Sequence, residues 1–157
     1  MYFVEHQGAD LLNEAIALRV MNGSGADANQ LLNLHEASIR RQIIMVKTEK
    51  DEPLASLSFA KISKFTLKLL TENPDHKLQP YEYSEGKILY ILDGFFRKNN
   101  FRISISLLMP QLRKYRLIVY VKNGKLKVLY NNNGAIRLLK SFASQHKRLH
   151  SPDLAAV

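Results

Sequence analysis

The dipeptide Asn123-Gly124 stands between two runs rich in apolar and β-branched residues, Arg116–Lys122 and Lys125–Tyr130. Both central residues tolerate positive φ, so the pattern predicts a two-residue type I′ hairpin. Strands joined so closely must pair antiparallel, because a parallel pair needs a long crossover. This part of the chain is thereby committed to a sheet. Hydrophobic residues make up 46% of 157, enough to bury one face of it. A domain commonly runs to about 100–200 residues, so we read one domain over residues 1–150 and a flexible tail over 151–157.

Upstream, Leu11, Leu12, Ala15, Ile16, Ala17 and Leu18 recur at helical spacing and predict a helix over Ala9–Met21, stopped by Asn22-Gly23-Ser24-Gly25. Asp27 or Asn29 can cap a second helix through Arg40, with Leu31, Leu34 and Ile39 inward. Gln42–Thr48 and Leu54–Ala60 read as strands, with Ser56 and Ser58 facing solvent or packing. Ser63 can cap a short helix, ended by Asn73-Pro74-Asp75. His76–Glu85 reads as a loop anchored by Leu78, Tyr81 and Tyr83, and Lys87–Leu92 as the strongest strand. Ile103–Met109 predicts a helix limited by Pro110, and Ala135–His146 a basic amphipathic helix. The fold class expected is α+β (mixed α/β): a mostly antiparallel central sheet flanked by helices.

Several chemistries lack their residues. There is no cysteine, hence no disulfide, thiol nucleophile or thiolate metal site. No phosphate-binding glycine loop, HExxH or GxSxG pattern occurs. His6, His35, His76, His146 and His150 show no metal-ligand spacing, so no metal is expected. No run approaches the roughly 18 apolar residues of a membrane span. MYFVEHQGAD lacks the basic and apolar regions of a signal peptide, and a cytoplasmic location is expected.

Charge is uneven. Residues 1–57 carry 5 Lys and Arg against 8 Asp and Glu, while residues 58–157 carry 18 against 6. The basic portion suits a polyanionic partner: nucleic acid, an acidic protein or an anionic lipid surface, unless it is only a solvated face. Nucleic-acid readout lacks the aromatic patterns and recognition helix it needs, so nucleic acid is disfavoured.

The chemistry-bearing candidate is Asp93, which follows the apolar run Ile88–Leu92 and precedes Gly94. An Asp-Gly turn and a catalytic carboxylate are both open there. The surrounding pieces carry a resemblance. Arg41-Gln42-Ile43, Pro53–Ser63 (PLASLSFAKIS), Tyr83–Lys87 (YSEGK) and Leu89–Phe95 (LYILDGF) resemble, in order and spacing, the motifs of the toxin-activating lysine acyltransferases. These enzymes fatty-acylate RTX toxins, and the resemblance covers about residues 39–130. It implies an acetyltransferase-like sheet, no tightly bound cofactor and an acyl carrier protein thioester as donor. It also implies a toxin or bacteriocin precursor peptide as acceptor.

In that family a histidine near the end of the first helix pairs with the aspartate. Asp93 matches the aspartate, but Asn22-Gly23-Ser24-Gly25 holds no histidine. His35, on the next helix, is the substitute by chain order. A similar branch serves siderophore-microcin clusters, where a partner subunit shares the work of forming a C-terminal siderophore ester. Arg97, Lys98, Arg102, Arg113 and Lys114, with Arg116, are the expected substrate-binding rim, suited to an acidic carrier protein. The alternative is a non-catalytic basic module that holds nucleic acid or an acidic partner.

Overall fold

The computed structural model describes residues 2–5 and 11–143. The fold is α+β. Strand β1 spans Tyr2–Glu5, helix α1 Leu11–Met21, α2 Ala28–Ile39, β2 Ile43–Thr48 and β3 Pro53–Ile62. Then come α3 at Lys64–Glu72, a 3₁₀ turn at Pro80–Tyr83, β4 at Ile88–Phe96 and α4 at Phe101–Leu112. Strands β5 (Leu117–Lys122), β6 (Lys125–Asn132) and β7 (Ala135–Ala143) complete the order. Hydrogen bonding follows the chain, β1-β2-β3-β4-β5-β6-β7. The pairs β1–β2, β2–β3, β5–β6 and β6–β7 are antiparallel.

The chain divides into two compact units. One comprises residues 1–60 and 91–114, the other residues 61–90 and 115–157. The first centres on Leu11 and Ala15 of α1, Leu34 and Ala37 of α2, and Ile43 and Met45 of β2, all buried together. Asp27 caps α2 through the Gln30 amide, and Gln30 answers to the Asp27 amide, a reciprocal capping box. Leu31 and Ile39, expected inward, are exposed: only Leu34 and Ala37 of α2 are buried. Ser56 and Ser58 are buried as well, because both faces of β3 are covered and the polar alternation has no solvent side.

In the second unit Ser63 caps α3 through the Thr66 amide. Gly86 donates to the Lys61 carbonyl at 2.9 Å. A Cβ at Gly86 would lie 1.9 Å from the Ile62 carbonyl oxygen, so only glycine permits this approach. Tyr83 is buried as expected, whereas Tyr81 is exposed. The 123–124 turn has φ of 53° and 69° with Lys122 opposite Lys125, as type I′ geometry requires.

Three further expectations are corrected. Ala135–Ala143 is strand β7, not a helix, because Asn133 (φ 50°) and Gly134 (φ 92°) make a second tight turn that returns the chain onto β6. Backbone pairing there overrides the amphipathic spacing. Helix α4 passes through Pro110 to Leu112; the proline removes one intrahelical bond close to the end, and the Arg113 amide still reaches the Met109 carbonyl. Strand β4 does not stop at Leu92 but runs on to Phe96. The expected tail at 151–157, together with His6, His146 and His150, lies outside the described residues.

Candidate functional site

Asp93 lies inside β4, neither at its end nor in a turn. The extension has a cause: β3 is ten residues long, and its Leu54 carbonyl accepts from the Arg97 amide at 2.8 Å. Ser58 Oγ of β3 donates to the Asp93 carbonyl at 3.4 Å. The Asp93 carboxylate accepts a hydrogen bond from the guanidinium of Arg19, in the last turn of α1. Their side chains are 12% and 5% exposed, so this is a largely desolvated ion pair. The Arg19 guanidinium also stacks over the Phe95 ring, 5.1 Å from its centroid. Arg19 Nε is buried with no hydrogen-bond partner among the described residues. Burial pulls the guanidinium's pKa down, and the Asp27 charge pulls it back up.

A carboxylate held against a guanidinium by a charge-assisted hydrogen bond is a strong electrostatic anchor. Asp93 therefore fixes a charged donor group on α1. The sequence signal for Arg19 was faint: one base near the end of LLNEAIALRVM reads as an ordinary complement to the helix dipole.

Leu18, Met21, Asn22, Glu52, Pro53 and Arg97 line a cleft of about 150 Å³, of which neither Arg19 nor Asp93 is a lining residue. Arg97, one of the expected rim residues, enters it paired with Glu52. The other rim residues do not line it. Lys98 and Arg102 are exposed around the start of α4, and Arg113 and Lys114 are exposed beyond its other end. A helix rises about 1.5 Å per residue, so α4 holds Arg102 and Arg113 about 16 Å apart along its axis. His35 is on α2 with its side chain 58% exposed, and its Nδ1 lies 4.0 Å from Glu36. No hydrogen bond or ion pair joins it to Asp93: the acid's partner is Arg19.

Two buried polar centres were not anticipated. Lys47, 2% exposed, holds Glu14 at 2.6 Å and Asp51 at 3.1 Å. In the second unit Glu82 is 1% exposed, and its carboxylate gathers His76 Nε2 at 3.1 Å, the Gln79 amide at 2.6 Å and Thr66 Oγ1 at 3.3 Å. This is a histidine–carboxylate pair, formed by His76 rather than His35. The visible hint was the Gln79-Pro80-x-Glu82 spacing, which is that of a capped turn. In the same unit, burial pushes the Tyr90 phenol up to about 12, helped by Tyr83 and Asp75. No group of three or more metal-ligating side chains occurs among the described residues, and no described helix is long and apolar enough to cross a membrane.

No protein-family model matches the chain, and no curated protein matches it. Solved structures do. A GNAT-family acetyltransferase from Staphylococcus aureus Mu50 aligns with a TM-score of 0.51 at 9% identity, over 89% of this chain and 100% of that one. The fold is that of a GNAT acetyltransferase. An aminoglycoside 6'-N-acetyltransferase from Acinetobacter baumannii aligns at a TM-score of 0.42 and 11% identity, over 73% of this chain and 68% of that one. The acetyltransferase-like sheet expected from the motifs is thus present.

Proposed function

We propose that the chain is an acyltransferase, or the acyl-transfer subunit of one, that matures a ribosomally made bacterial toxin or bacteriocin. The observation that supports it most is the meeting of two motif segments. PLASLSFAKI of the first forms β3 and LYILDGF lies within β4, with Ser58 of the first bonded to Asp93 of the second. The GNAT fold is the right scaffold for acyl transfer, though a fold alone names no substrate.

In the reaction, an acceptor amine or hydroxyl attacks a thioester carbonyl. A C–N or C–O bond forms, the C–S bond breaks, and the acceptor's proton leaves with the thiol. Asp93 anchors Arg19 as a fixed positive charge near the developing oxyanion, where preorganised donors lower the barrier most. The base is His35 or a group on a partner subunit. Arg97 contacts substrate in the cleft. Lys98, Arg102, Arg113 and Lys114 attract an acidic acyl carrier protein, with an acyl-CoA as the alternative donor. Fatty acylation of toxin lysines follows this step directly. Siderophore-ester formation on a microcin C-terminus follows it when the peptide's C-terminal carboxyl is supplied as the thioester, whose carbonyl a siderophore sugar hydroxyl attacks as the thiol leaves. The setting is the cytoplasm, before the peptide leaves the cell.

Co-expression with candidate precursor peptides, followed by intact mass, tests the proposal. A fatty-acyl or glycosylated-siderophore increment is expected, and its absence from every precursor would overturn acyl maturation. Loss of product in Asp93→Asn but not in His35→Ala would place the base on a partner. A non-catalytic binding module is the second possibility. It is favoured by residues 115–143, which hold six Lys and Arg and no Asp or Glu.

A further inference from the structure

The hairpins of the second unit place three lysines on one surface. Lys122 is opposite Lys125, and Tyr120 is opposite Lys127. Side chains two apart on a strand share a face, so Lys125, Lys127 and Leu129 project together. Strand β7 adds Leu138, which stands opposite Leu129. Tyr120, Lys122, Lys125, Lys127, Leu129 and Leu138, with Asn123, line an open hollow of about 410 Å³. The other face of the same strands buries Val119, Leu126 and Val128. The lysines are therefore fixed at their backbones and free at their tips.

No carboxylate neutralises them from within these strands, since none occurs between Tyr115 and Ala143. None of the three lysines has an ion-pair partner among the described residues. Beside them Leu138 is 58% exposed, an apolar side chain that water covers poorly. Cations next to uncovered leucine suit a ligand that is both acidic and apolar. A single-stranded nucleic acid would need aromatic rings on which bases stack, and Tyr120, itself half-buried, is the only ring in the hollow. Lysine heads are point charges on flexible stems, suited to scattered carboxylates rather than to planar readout.

We propose that this hollow binds an acidic segment of a partner polypeptide, with carboxylates on Lys122, Lys125 and Lys127 and an apolar side chain against Leu129 and Leu138. The inference stands on the β5–β7 surface and is independent of the acyl-transfer reaction.

Fluorescence anisotropy of the full chain at about 0.15 M salt, where surface charges are screened beyond about 8 Å, tests it. The probes are a labelled peptide of alternating Glu and Leu, a Glu/Ser peptide and an oligouridine. The Glu/Leu peptide is expected to bind tightest. The variant K122Q/K125Q/K127Q, which keeps most of each stem, is expected to weaken it about tenfold, or 1.4 kcal/mol. Leu138→Ser is expected to weaken the Glu/Leu peptide and leave the Glu/Ser peptide unchanged. A control, K64Q/K68Q on α3, is expected to bind like the original. If the triple variant melts early, the three single variants repeat the comparison. Failure of the Glu/Leu peptide to bind, equal or tighter binding of oligouridine, or the same loss in the α3 control would each overturn the proposal.

Discussion

Arg19 and Asp93 are 74 residues apart in sequence and form one desolvated ion pair between α1 and β4. Removing one partner of such a pair leaves the other charged and buried, at a cost of about 3–5 kcal/mol. Asp93→Asn and Arg19→Met should each lose that much in urea unfolding. R19M/D93L should recover most of it, because two apolar side chains leave no orphan charge. A double variant as unstable as the singles would show that packing against Phe95, not charge, governs the site. If the double variant folds and makes no acylated product, the pair serves the reaction as well as the fold.

Glu82 gathers three donors while 1% exposed. Glu82→Gln keeps the shape but turns an amide NH₂ toward one of them. A hydrogen bond to a buried charged group contributes about 1.5–3 kcal/mol, and a loss of that size is expected. Hydrogen exchange should localise it, with the Gln79 amide losing protection before the β5–β6 amides. Uniform loss across the second unit would argue against a local role.

Alkaline stability should reflect Tyr90. Its phenol ionises near 10.0 when unfolded and at about 12 when folded, through burial first and then Tyr83 and Asp75. Between these values the folded state holds a proton that the unfolded state has released, so stability falls as pH rises through the window. The stabilising contribution is complete below pH 10 and lost toward pH 12. Tyr115, also raised by burial, adds in the same direction. Tyr90→Phe should flatten the decline measured by urea unfolding at stepped pH; an unchanged slope would assign it to other groups.

Gly86→Ala should be among the most damaging small changes in the chain. The new methyl would sit 1.9 Å from the Ile62 carbonyl oxygen and 2.2 Å from its carbon, both backbone atoms with no rotamer to escape by. Loss of the Gly86–Lys61 hydrogen bond and a melting temperature lower by several degrees are expected, since about 1 kcal/mol shifts Tm by roughly 2–4 °C at this size. Gly25→Ala, with nothing within 4 Å of the added methyl, is the matched control.

Local chemistry was legible wherever a few neighbouring residues settle the backbone. Asn123-Gly124 determined a turn, Asp27 and Ser63 determined helix starts, and the apolar runs determined β2 to β6, because each signal acts within a turn or a strand. The motif order also carried the sheet type. Tertiary structure alone decided the rest. β4 continues through Asp93-Gly94 because a ten-residue β3 offers backbone partners that outweigh two poor strand formers. β7 is a strand rather than a helix because the edge of β6 was there to receive it. Asp93 found Arg19, and Glu82 found His76, because charges removed from water must take whichever partner the packing brings near. Spacing along a chain does not encode that proximity; it exists only once the elements have closed on their cores.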